Sequence, residues 1–391
     1  MLPSIACHEG IINSAGALWR EQRAFLHRVF RDFVPRHGRP GSVALEQKMQ
    51  VHISEFLSSL GPFEGSSLHV RRSLARAVSN ILGSFLMSVT YSSRDSKFEQ
   101  LLALFEEGFR LLTLAVPVNF IPALRYVPGS NWAYRRIKRN RHQTADYFRR
   151  IADAHRSSYC RWHRSRHRGR IPRPATQGQG QRHPEGGHLL LRAGLETVTS
   201  TLEWSILLLV RHPHVQRRLQ EELDTHLASQ GDRPASMADL PALPYAQATI
   251  LEVLRRANVI ALGNAHATTW LSSERIIGTM SKNNDAIFYM CDWTRRRFLV
   301  NGRVHKPDYF MPFSVGRRMC LGNHLTQTEV FLFLSNLLQR YTLELPEGEQ
   351  PPSMDGHVAV SHTPRPFRVK ITPRKTTATD TTATSVFARA Q

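Results

Sequence analysis

Acidic residues are scarce in this chain: 31 Asp and Glu stand against 52 Lys and Arg in 391 residues, a formal charge of +21. An imbalance of that size excludes an acidic, self-solvating protein and requires either an anionic partner or a local basic segment. The excess is local. Residues 135–182 hold 15 Lys and Arg against 2 Asp, a net +13. Cysteine is equally sparse. Cys7, Cys160, Cys291 and Cys320 show no paired spacing, which argues against a disulfide framework and suits a reducing compartment. No apolar run approaches the length of a bilayer-spanning helix, and no signal peptide opens the chain.

What is present centres on Phe313-Ser-Val-Gly316-Arg-Arg318-Met-Cys320-Leu-Gly322. The stretch reads as a loop that holds one cysteine and leads into an apolar helix from about Leu321 to Arg340. Gly316 and Gly322 carry no Cβ, so backbone there can approach something flat and bulky. Backbone N–H groups of such a loop can point at the sulfur, and Arg317 and Arg318 are expected to favour its thiolate. The spacing Phe-x-x-Gly-x-Arg-x-Cys-x-Gly resembles the haem-binding loop of the cytochrome P-450 monooxygenases. That resemblance implies haem b (iron protoporphyrin IX) with Cys320 as the thiolate ligand of its iron, Arg318 on a propionate and Phe313 packed beside the sulfur.

Other landmarks follow in the family's order. Near the start, Trp19 and Arg23 lie four apart on one helix face, in a helix that ends near Phe33. They resemble the family's propionate-contacting pair, and the run around them is similar to the microsomal, family-two-like branch. That branch carries an anchor helix, a hinge and a first sheet upstream, so the chain is read as beginning inside the fold. Helical periodicity continues through 43–60, 70–91, 97–115 and about 130–154. The apolar loop 116–129 is where the family faces the membrane.

Residues 155–187 break the pattern, with no Leu, Val, Phe or Met from His155 to Arg182. Such a stretch is expected to be disordered, and the abrupt change looks like out-of-frame or intron-derived sequence. Cys160, His163 and His167 have zinc-ligand chemistry but no fourth partner, and arginine-rich disorder can bind phosphate. Family pattern returns at Ala193-Gly194-Leu-Glu196-Thr197. It resembles the centre of the helix that crosses the haem, where Ala193 and Gly194 leave room for dioxygen. The Thr197 hydroxyl can take over a backbone carbonyl. With Glu196 it would move protons toward the oxygen side of the haem.

Glu252 and Arg255 lie three apart on a later helix, and the resemblance joins Arg297 to them as a buried triad. His266 falls where the branch places a propionate-binding histidine. Residues 270–294 depart from the family again, and the tail from 375 to 391 is expected to be disordered. The resemblance covers roughly 8–154, 189–269 and 297–373, and implies one domain over 1–374. It is a mainly α fold with a small β portion, an incomplete cytochrome P-450 fold. The implied activity inserts one atom of O2 into an apolar substrate, with electrons from NADPH through a reductase, at the cytosolic face of the endoplasmic reticulum membrane. The alternatives are a catalytically impaired haem-binding fragment or mis-assembled gene product, and, from another class, a basic nucleic-acid-binding protein. The two departures at 155–187 and 270–294 predict impaired turnover.

Overall fold

Ten helices and seven short strands are seen among the described residues of the computed structural model, which are 11–12, 14–33, 40–92, 95–114, 118, 121–127, 129, 131–166, 186–231, 233–261, 263 and 295–374. The helices are α1 (Gly16–Phe33), α2 (Pro40–Leu60), α3 (Arg71–Leu86), α4 (Ser96–Leu114), α5 (Trp132–Arg166), α6 (Gly186–Arg211), α7 (Pro213–Leu227), α8 (Pro244–Ala257), α9 (Arg295–Phe298) and α10 (Asn323–Arg340). Strands β1 (Ser67–Leu68), β7 (Val369–Pro373) and β4 (Tyr341–Glu344) form an antiparallel sheet in the order β1-β7-β4. Leu343 stands opposite Ile371, and Leu68 opposite Val369, so all four side chains face the core. Strands β2 (Leu299–Val300) and β3 (Arg303–Val304) make a hairpin, and β5 (His357–Val358) pairs β6 (His362–Thr363).

The core is a bundle of α2, α3, α6 and α10. Apolar residues surround α6 from Leu202 to Val210 and α10 from Val330 to Leu338, and a helix apolar on all sides must lie inside. Trp204 is fully buried there, its indole N–H donating to the His362 carbonyl at 3.1 Å. Phe56 and Phe333 meet edge to face, tying α2 to α10. Leu190–Arg211 of α6 is in fact long and apolar enough to cross a bilayer, contrary to the sequence reading, but its most apolar stretch is mostly buried inside the protein. Arg192, Glu196 and Glu203 interrupt the run and hide its length from a scan for uncharged residues.

The helix start marked by Pro213 falls where expected, and that helix ends at Leu227 as read. Helix α5 is longer than expected and continues to Arg166, so 155–166, the front of the stretch read as disordered, is helical. Those residues contain no glycine or proline before Gly169 and are rich in arginine, a good helix former. Residues 167–185, the whole of the departure at 270–294, and the tail from 375 lie outside the described residues.

Candidate functional site

The loop before α10 is shaped by its own backbone. The Cys320 N–H donates to the Phe313 carbonyl at 2.9 Å, and the Met319 N–H to Gly316 at 3.1 Å. Gly316 has φ +74°, in the left-handed region where a side chain is strained, and a Cβ there would meet open space. Ser314 also takes a positive φ of 62°. Gly322 precedes α10 and places its backbone against the cysteine; a Cβ on it would lie 3.9 Å from Cys320 Sγ. Phe313 packs on the main core behind the loop.

Helix α1 lies against this loop, 296 residues away in sequence. Arg23 Nη2 donates to the Met319 carbonyl at 2.6 Å. Arg318 Nη2 donates to the Ser14 carbonyl at 2.8 Å, and its guanidinium stacks 4.1 Å above the Trp19 ring. Arg23 stands 5.8 Å from the same ring. Trp19, Arg23, Phe313, Gly316, Arg318, Cys320 and Gly322 are thus brought together. Burial pushes both guanidinium pKa values down, and Arg23 pushes Arg318 further. Among the described residues neither guanidinium meets a carboxylate. Both hold neutral carbonyls only.

Cys320 is exposed to solvent yet closely surrounded by protein, as a side chain lining a hollow is. Burial pushes its thiol pKa up, while the Gly322 N–H and the Arg23 charge pull it back only in part. The sequence reading gave that pull to Arg317 and Arg318. It belongs to Arg23, because the Arg318 guanidinium is turned toward Trp19 and Ser14. A bound metal would favour proton loss from the thiol. One soft sulfur flanked by two cations that hold only carbonyls is a donor set that fits haem with its two propionates.

Helix α6 passes the core with Ala193–Thr197 two turns inside its start at Gly186, not at a frayed end. Thr197 Oγ1 donates to the Ala193 carbonyl at 2.7 Å, occupying the carbonyl as its chemistry allows. Gly194 faces α3, where a Cβ would come within 2.9 Å of Leu82, so its smallness serves helix packing. Glu196 also turns toward α3. Its carboxylate holds Arg71 at 3.0 Å and accepts from Ser361 Oγ at 3.1 Å. Arg71 bonds Glu203 at 2.7 Å, and these carboxylates outweigh burial and hold its pKa above the usual arginine range. Burial in turn pushes Glu203 up despite Arg71. Adjacent helix residues do not share a face, so Glu196 and Thr197 diverge.

The Glu252–Arg255 pair is bidentate, with Nε to Oε2 at 2.8 Å and both side chains mostly buried. Arg297 is carried on α9, whose Phe298 packs on Ala248 and Leu251 of α8; its charge is felt at Arg256. His266 lies outside the described residues. Arg71 escaped the sequence reading, since nothing local marks it. Arg192 escaped too, although an arginine directly before Ala193-Gly194 in an apolar run is a visible anomaly.

The cytochrome P450 family model matches residues 2–174, 185–273 and 292–371. Among curated proteins, the chain is 32% identical over 390 residues to Cytochrome P450 18a1 of Drosophila melanogaster, covering 92% of this chain and 72% of that one. It is 29% identical to Cytochrome P450 2J3 of Rattus norvegicus, covering 93% and 75%. It is 28% identical to a steroid 17-alpha-hydroxylase/17,20 lyase of Gallus gallus, covering 91% and 74%.

Proposed function

The chain belongs to the cytochrome P450 family of haem-dependent monooxygenases, and from that premise we propose that it inserts one atom of O2 into an apolar organic substrate, using electrons from NADPH delivered by a reductase. One observation carries this reading: Cys320, Arg318, Arg23 and Trp19 converge from opposite ends of the chain. When bound, haem supplies the binding and activation of dioxygen. Cys320 Sγ would hold the iron, with the Gly322 N–H directed at the sulfur. Arg23 and Arg318 would exchange their carbonyl partners for propionates, a gain in charge complementarity. Phe313 backs the loop, and His266 is assigned to a propionate by resemblance.

Ala193 and Gly194 are assigned to the oxygen side by resemblance, although Gly194 packs on Leu82 of α3, and the Thr197 hydroxyl holds its proton at Oγ1 toward the Ala193 carbonyl. Glu196 is assigned the proton supply, and must first loosen from Arg71. Glu252, Arg255 and Arg297 are assigned the structural triad. The exposed Arg317 gives the cysteine side a basic surface for the reductase. Exposed Ile121, Tyr126 and Val127 in the 116–129 loop support contact with the endoplasmic reticulum membrane. A second reading, haem binding with impaired turnover, is favoured by the Glu196–Arg71 ion pair, which turns Glu196 away from Thr197.

The test is turnover under ¹⁸O2 with purified chain, haem, NADPH and a P450 reductase. One labelled atom per product molecule, lost in Cys320→Ala, is expected. Haem retained with no labelled product establishes the second reading.

A further inference from the structure

Thr199 breaks a pattern along α6. Thr197, Thr201 and Ser205 each donate to the carbonyl four residues back, at 2.7 to 2.8 Å. Thr199 is 1% exposed, yet its Oγ1 has no partner among the described residues. A buried hydroxyl left unbonded is costly, so a partner from outside the helix is called for. Thr199 shares a helix face with Leu195 and Glu196, and the three line a hollow of about 10 Å³, the space of one water. Arg71 of α3 stands across from them, with Phe105 and Glu106 of α4. Glu196 Oε2 accepts only from Arg71 among the described residues, at 3.0 Å, which leaves it a lone pair. Glu106 Oε1 stands 3.9 Å from Arg71 Nε, too far for a direct hydrogen bond, and its side chain is 59% exposed. Glu106, Glu196 and Glu203 thus share one guanidinium, and burial pushes the Glu203 pKa up. A cluster with two negative charges in excess takes up protons readily.

We propose that one buried water sits in this hollow, bonded to Thr199 Oγ1 and Glu196, and that it admits protons from Glu106 at the surface to Glu196. The role of the site rests on the monooxygenase reading above, which assigns the proton supply to Glu196 but names no source for it. The site lies on the α3 and α4 side of α6, away from Thr197, because residues two apart on a helix face different ways. The transfer is a balanced exchange. Glu106, protonated from bulk solvent, gives its proton to the water oxygen, and the water gives one of its own to Glu196 Oε2. No charge is left on the water.

Two measurements on the full, haem-loaded chain test it. Crystals of the parent should show density for one water within hydrogen-bond distance of Thr199 Oγ1 and of Glu196. That water should remain in Thr199→Ser and be lost in Thr199→Val, where a methyl replaces the hydroxyl at equal volume. A parent hollow without such density overturns the site, and the same water in Thr199→Val overturns Thr199 as its holder. For the inlet, Glu106→Gln should slow turnover about tenfold, raise the solvent deuterium isotope effect on kcat and leave KM as it was. Glu106→Asp should restore most of the rate. A merely structural Glu106 would not move the isotope effect, so turnover and isotope effect equal to the parent's overturn the inlet. If the parent holds haem and makes no product, the monooxygenase reading and the inlet fall together, while the water stands or falls on the density alone.

Discussion

Both carboxyl oxygens of Glu329 lie buried in α10 without a hydrogen-bond partner, and burial lifts its pKa from 4.5 to about 8. The folded chain thus keeps a proton that the unfolded chain gives up above pH 4.5. Stability is full below that pH and declines from there toward pH 8, by about 1.4 kcal/mol per pH unit at most. Glu329→Met should remove the decline, so its urea midpoint exceeds the parent's by more at pH 8 than at pH 6. Identical pH slopes for the two proteins would show that Glu329 is relieved by water or a partner. Such a residue was invisible in the sequence, as a glutamate on a helix is ordinarily solvated. Arg71 was hidden for a related reason: the carboxylates it binds lie 125 and 132 residues further on. Cys320 was legible because its loop needs glycine and arginine at fixed local spacings.

Helix α8 shows what a short motif specifies and what it leaves open. Glu252 and Arg255 lie one turn apart, and the structure makes them a nearly buried fork-to-fork pair. Arg255→Ala should cost about 3–5 kcal/mol, because Glu252 stays behind as an uncompensated charge. Urea unfolding checks it, and a midpoint within error of the parent would mean that the pair is solvated. Whether Arg297 shares in this could not be read from spacing, since 42 positions separate it from Arg255. Helix limits were legible where proline or glycine imposes them, as at Pro213. The end of α5 was not, because arginine-rich sequence can extend a helix without an apolar face to announce it. The length of α6 was obscured by the charges within its apolar run, Arg192, Glu196 and Glu203.

At the scale of the molecule, the candidate site joins α1 to the loop before α10, so almost the whole chain must fold before Arg23 reaches Met319. The order of landmarks along the sequence disclosed the mainly helical architecture, since each landmark has one place in the family's fold. Side-chain direction was not disclosed: Gly194 and Glu196 turn toward α3, which depends on how α6 rotates in the bundle. The charge of +21 is consistent with a basic segment added to such a fold, with α5 contributing much of it. Whether Cys320 holds haem iron as a thiolate is the claim on which the remaining roles depend. The reduced, CO-bound absorption spectrum of the purified, haem-reconstituted chain measures it, read beside Cys320→Ala. Thiolate ligation predicts the strongly red-shifted Soret band in the parent and its loss in the variant. The same band persisting in Cys320→Ala, or its absence from a parent that has taken up haem, would contradict it.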